Sequence, residues 1–268
     1  MNEMEVFLAN NGRNTSQMTA EENVMYDKER KKIDNTSKVI VACIVTLQKF
    51  CHSMPLEWMF GNKLGLDFVS VYLHLLREST ASIQLEAVAC LEALALRKLE
   101  FDPWYRLISE LPEKVREAND AAQKDIQQRG GNYLVEEFPF HRSLSRMLAL
   151  LISSHVAHIT TEKEMIQGKG PKNRALTTYL DLMCKMLGHP SGRVCGEQIN
   201  TWYTLLRDPQ ITSSSGILSQ HLPTVLQTYI THLARFRWED VEDMIHPNAE
   251  ILETSWDDKV RMLVVFGV

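Results

Sequence analysis

Two stretches of this chain repeat one apolar pattern at a fixed offset, and that repetition restricts the fold more than any single motif. Leu66, Val69, Leu73 and Leu76 step by three and four, as do Ile83, Ala87, Leu91 and Leu94. Such spacing places each set on one face of an α-helix. Ser79-Thr80-Ala81-Ser82 reads as the turn between them, with Ser82 as N-cap because its hydroxyl can accept from a free first-turn amide. A shift of 111 residues lays Phe68 on Tyr179, Val71 on Leu182, Leu75-Leu76 on Met186-Leu187, Ile83 on Val194, Val88 on Ile199, Leu91 on Trp202 and Leu94 on Leu205. The second hairpin, Ala175–Leu187 and Arg193–Arg207, turns at Gly188-His189-Pro190-Ser191.

A helix pair with one apolar stripe cannot bury it alone, whereas stacked neighbours bury it as a continuous core and leave a long surface for large partners. The offset is close to three units of roughly 37 residues, somewhat short of the roughly 40–47 of HEAT and armadillo repeats. The expected fold is therefore all-α: a HEAT-like α-solenoid of stacked antiparallel helix pairs. Identities between the two hairpins are few, so the alternative is an irregular helical domain of the same period.

The remaining sequence divides around these hairpins. Residues 1–37 are polar with little periodicity and read as a flexible arm, with or without a short helical piece, and the run Lys28-Glu29-Arg30-Lys31-Lys32 is either an import signal or a solvated charge run. Residues 38–236 carry the repeats, beginning with a helix at Val39–Cys51. Asp102-Pro103 opens a charged helix whose thin stripe Leu111, Val115, Ala118, Ala122 and Ile126 predicts a place outside the main core. Leu134–Ile159 is long and apolar, with Pro139 as its expected interruption; Glu162–Arg174 reads as a polar loop. Residues 237–268 form an acidic segment expected to be poorly ordered.

Function classes narrow by chemistry. A net charge of −5 gives no basic field over the whole chain, so any contact with nucleic acid must be local. Of five cysteines, Cys90, Cys184 and Cys195 lie within apolar helical patterns, and none forms a CxxC; small core residues in a reducing compartment are the expectation. The longest apolar runs, such as Val39–Val45, are too short to span a bilayer. His155 and His158 share a helix face at i, i+3, but no HExxH accompanies them, which favours polar or partly buried groups at a helix end over a metal site. Gly168-Lys169-Gly170-Pro171-Lys172 lacks the GxxxxGK[ST] of a phosphate loop. No catalytic residue, cofactor site, metal site or small-molecule substrate is assigned, and a binding protein rather than an enzyme is expected. The candidate contact is the cluster Lys163, Lys169, Lys172 and Arg174, opposed by Glu162 and Glu164. It would meet RNA phosphates or an acidic partner, with an ordinary solvated loop as the alternative.

Three runs carry a family likeness. They are Leu85–Leu94 followed by Arg97-Lys98; His189-Pro190-Ser191 leading into Thr201–Arg207; and Leu222-Pro223, Leu226 and Ile230–Leu233. In order and spacing they resemble the middle-to-late HEAT repeats of the exportin-five family of nuclear export karyopherins, over roughly residues 66–258. The resemblance implies a segment of a longer receptor that shuttles between nucleus and cytoplasm. Its implied partners are Ran-GTP and a cargo of structured double-stranded RNA, tRNA or protein, with nucleoporins as a further possibility and no membrane. RNA of that kind is read by shape and backbone. A scaffold binding only proteins is the rival, and the two differ in whether a basic strip lines the inner face.

Overall fold

The computed structural model describes residues 20–61, 67–77, 80–128, 137–189, 192–213 and 218–234, and every regular element among them is helical. In chain order these are α1 (Ala20–Cys51), α2 (Leu56–Met59), α3 (Phe68–Leu75), α4 (Ala81–Ala95), α5 (Phe101–Gln128), α6 (Glu137–Ser153), α7 (Val156–Thr161), α8 (Lys163–Ile166), α9 (Gly170–Leu187), α10 (Gly192–Arg207), α11 (Pro209–Ser213) and α12 (Leu222–Ala234). None of the described helices is long and apolar enough to cross a membrane.

The helices form two layers. One runs α1, α4, α6, α10, each packed on the next; the other runs α3, α5, α9, α12. Hairpins α3–α4 and α9–α10 join the layers, and α9 also meets α6. This is the stacked-pair solenoid that the periodicity implied, because an interior helix must cover both flanks. The two hairpins related by 111 residues are α3–α4 and α9–α10, but only the α5–α6 pair lies between them, so the offset spans two steps of the stack and not three. The step is longer than periodicity suggested because α5 alone has 28 residues and because α7 and α8 are inserted before α9.

Where neighbours are present, the matched positions are buried alike. Ile83, Val88, Leu91 and Leu94 are in the core, as are Val194, Ile199, Trp202 and Leu205. Val71 departs from its counterpart: it is 51% exposed, whereas Leu182 is buried. Helix α3 has α5 as its neighbour in the layer, while α9 is flanked by both α5 and α12.

Local chemistry corrects several expectations. Helix α1 starts at Ala20, so residues expected in the polar arm, including the Lys28–Lys32 run, are helical. The N-cap position of α4 is Thr80 rather than Ser82; its side chain makes no capping bond, and Ile83 N–H donates to its backbone carbonyl at 3.0 Å. Pro139 lies in the first turn of α6, where its missing amide costs no helical bond, and the interruption falls instead at Ser154-His155. The expected loop 162–174 contains α8 and the first turn of α9, and Pro171 sits at the start of α9 where its fixed φ suits a helix N-terminus. Asp208 caps α11 by accepting from Gln210 N–H at 2.8 Å and Ile211 N–H at 3.2 Å. The acidic stretch 237–268 lies outside the described residues.

Helix α5 is the largest departure. Expected outside the core, it buries Trp104, Leu107, Ile108, Leu111 and Val115 completely or nearly so. The indole N–H of Trp104 donates to the Leu151 carbonyl of α6 at 3.0 Å. The stripe at 104, 107, 108, 111 and 115 steps at helical spacing, and it looked thin only when begun at Leu111. Trp104→Ala is expected to cost about 3–5 kcal/mol in urea or thermal unfolding, whereas Leu96→Ala, at a position 53% exposed, should change stability by less than about 0.5 kcal/mol. A Trp104→Ala cost near that of Leu96→Ala would return α5 to the periphery.

Candidate functional site

The basic cluster is built by a tight turn between α8 and α9. Gly168 and Gly170 have positive φ of 67° and 89°, conformations that cost glycine little. A Cβ at Gly170 would stand 2.7 Å from Glu164 Oε2, the movable end of a side chain, so it is the positive φ that favours glycine here. Lys169 N–H donates to the Glu164 carbonyl at 3.2 Å and closes the turn. The effect is to bring Lys163, Lys169, Lys172 and Arg174 onto one small knob together with both acids.

The four cations are not equivalent. Lys172 is half-buried, pairs with the Glu162 carboxylate at 3.2 Å, and lies 4.9 Å from the centroid of the Phe101 ring on α5. Its charge holds α9 against α5 through the cation–π contact and against the α7–α8 junction through the ion pair. Lys163, Lys169 and Arg174 are exposed. With Glu162 and Glu164 in the same turn, two of the four positive charges are balanced locally. What remains is a modest cationic knob of Lys163, Lys169 and Arg174 beside two acids.

A second charged feature crosses the layer of α4, α6 and α10. Arg146 on α6 pairs with Glu92 on α4 at 3.0 Å, and Arg142, one turn earlier, approaches Glu197 on α10 at 3.7 Å. Burial raises the Glu92 carboxyl above its usual range, with Arg146 opposing and the nearby Glu197 adding. In this row each arginine is matched by an acid on the adjoining helix. Sequence reading missed it, because i, i+4 spacing on α6 shows two arginines but not which helices lie beside them.

The two histidines at i, i+3 are structural. At the α4–α5 junction, His155 Nε2 lies 2.9 Å from the Arg97 carbonyl and 3.2 Å from Leu99 N–H, while Nδ1 is 3.2 Å from the Leu151 carbonyl. His158 Nε2 lies 2.9 Å from the Leu99 carbonyl, and its ring meets Trp104 at 5.2 Å between centroids. Both rings thus stitch the end of α6 and the start of α7 to the turn before α5. No group of three or more His, Cys, Asp and Glu side chains among the described residues is placed to hold a metal ion.

Burial holds His155 below its ordinary value of 6.5, more than its two backbone carbonyls raise it, and His158 adds to the depression. The unfolded chain therefore takes up this proton first on acidification. The His155 contribution to stability is full at neutral pH and is lost as pH falls through the unfolded value of 6.5 toward the lower folded one. The thermal midpoint should fall between about pH 7.5 and about pH 5.5. His155→Gln should lower the midpoint at neutral pH and flatten the acid limb. An acid limb of undiminished slope in the variant would assign the effect to other groups.

Residues 135–260 match the Exportin-5 family, a family of nuclear transport receptors. The chain therefore carries an exportin-five-like segment, which includes α6 through α12, the basic knob and the second and third of the runs that suggested the likeness. The first run, in α4, lies outside the match. No curated protein and no solved structure matches the chain.

Proposed function

From that exportin-five-like segment we propose that the chain is part of a nuclear export receptor whose full-length form binds Ran-GTP together with cargo and shuttles between nucleus and cytoplasm. The observation that carries the reading is the family match falling on the second half of a two-layer helix stack. Receptors of this design hold large partners on an extended surface, and the stack provides one. We assign the body of that surface to the helices described between residues 38 and 234. On this reading the chain acts by binding, as a transport receptor does.

The charge pattern bears on cargo. Double-stranded RNA is held by cations along its backbone, and the knob of Lys163, Lys169 and Arg174 is where such a contact would fall. The row of Glu92, Arg146, Arg142 and Glu197, in which each cation is matched by an acid, favours a protein surface instead, because paired charges match a partner of complementary pattern and offer no uniform attraction to phosphate. The second reading, a scaffold that binds only proteins, rests on that row.

A pull-down with the full-length parent separates the readings. Ran loaded with GTP, and not with GDP, should be retained, and hairpin RNA should be retained with it. Loss of discrimination between the two nucleotide states would end the export reading. Retention of Ran without RNA would favour a protein cargo. If the knob holds phosphate, changing Lys163, Lys169 and Arg174 together to Glu should weaken RNA capture and reduce the dependence of log affinity on log salt by up to about 3. An unchanged salt dependence would remove the knob from the RNA contact.

A further inference from the structure

Helix α1 turns one side to the core and the other to solvent. Ile44 and Cys51 are buried, and Ile40 and Val41 are partly buried with them. On the opposite side Lys28, Lys31, Asn35, Val39, Thr46 and Lys49 recur at helical spacing, and every one is exposed. No acid belongs to this stripe. Lys28, Lys31 and Lys49 make no ion pair with any described side chain, while Lys38 beside them pairs with Asp34 at 2.6 Å. Two large apolar groups lie among these cations, Val39 at 63% and Phe50 at 53% exposed. A shallow groove along α1 is lined by Lys28, Lys31, Lys32, Asn35, Thr36 and Val39, with no other helix contributing.

The chain's own sequence contains the complement of this face. Between Arg237 and Lys259 there is no Lys or Arg, and residues 250–258 set Glu250, Glu253, Asp257 and Asp258 among Ile251, Leu252 and Trp256. Acids for the lysines and apolar groups for Val39 and Phe50 thus fall in one short span. Sixteen positions separate Ala234, the end of α12, from Glu250, a reach of up to about 55 Å when extended. The path from α12 through α9, α6 and α4 to α1 runs over packed helices, with axes about 8–10 Å apart at each step and so about 40 Å in all. The segment is long enough to cross the stack. Exposed ion pairs are individually weak. A tether, however, holds its segment at an effective concentration on the order of millimolar, so a contact too weak to retain a separate peptide is retained within one chain.

We propose that residues 250–258 dock on the outer face of α1 in the same chain, their acids on Lys28, Lys31 and Lys49 and their apolar groups over Val39 and Phe50. The basic knob is the rival cation cluster, but it carries two acids of its own and no large exposed apolar side chain. The contact joins the two ends of the stack and covers its most exposed lysine stripe. Any anionic partner then reaches those lysines only by displacing the chain's own acids, which makes the segment a built-in competitor for the face. This contact needs neither Ran nor cargo, so it stands apart from the export reading.

The test uses the full chain with two spin labels. Cys43 on α1 is exposed and the other four cysteines are buried, so Cys43 and an added Thr254→Cys take the labels, with the count of two checked by mass. Pulsed electron paramagnetic resonance at low salt should show a short, narrow distance between them. Dilution with unlabelled chain should leave that distance in place, because both labels belong to one molecule. Salt at 1 M, where the screening length is about 3 Å, should remove it. So should Lys28→Glu, Lys31→Glu and Lys49→Glu combined, with native helicity checked by circular dichroism. Adding Glu250→Lys, Glu253→Lys and Asp257→Lys to that variant should bring the distance back. Absence of the short distance at low salt would leave the face to another partner and overturn the proposal. Its loss on dilution would assign the contact to a second copy, and its persistence in the triple lysine variant would place the segment elsewhere; either result overturns it as well. Should the lysine variant not fold, the salt and dilution measurements decide.

Discussion

Every helix in this molecule depends on being flanked. An amphipathic helix can cover one side against its hairpin partner, but the helices of the two layers also carry apolar side chains toward their layer neighbours. Helix α4 makes this concrete: it meets α3 across the layers and both α1 and α6 within its own. Of its fifteen residues, Ile83, Ala87, Val88, Cys90, Leu91, Ala93, Leu94 and Ala95 are buried. Burial on that scale, at about 25 cal/mol per Å² of apolar surface, is what makes nearest-neighbour contact the unit of stability in a stack.

Polar groups decide how the stack is locked. The interior hydrogen bonds that cross between helices run largely from side chains to backbone carbonyls. Tyr179 donates to Leu148, Ser145 to Val194, Trp104 to Leu151, and the Gln198 amide to both the carbonyl and the hydroxyl of Ser145. Each such donor satisfies a buried group and fixes the rotation of one helix against the next, because an unpaired buried donor would cost about 1–3 kcal/mol. The same device at the α4–α5 junction consumes His155 and His158, which explains why a pair at metal-like spacing is occupied in holding the fold.

Much of the fold was legible because helical period survives in any amphipathic sequence: both helices of the α3–α4 and α9–α10 hairpins were read from their stripes, while the N-terminus of α4 was placed too late. The place of α5 was not, because its charged outer residues outnumber the buried stripe that Trp104 begins. The long step between repeats was also hidden, since 111 residues fit three short units as well as two long ones until α5–α6 is seen between the hairpins. At the candidate site, residue identities were legible and their states were not. Lys172 reads in the chain like Lys169, yet Phe101, 71 positions earlier in the chain, comes to lie under it.

The sequence by itself determined the helical class, the main hairpins and the likeness that the family match later placed on residues 135–260. These follow from local chemistry: period, turn residues and short runs that need no knowledge of distant contacts. Tertiary structure alone decided which charges remain available, with Arg142 and Arg146 matched by Glu197 and Glu92 and Lys172 by Glu162. Charge pairing depends on separations of a few ångströms between residues of different helices, and one-dimensional spacing does not encode those separations until the layers are stacked.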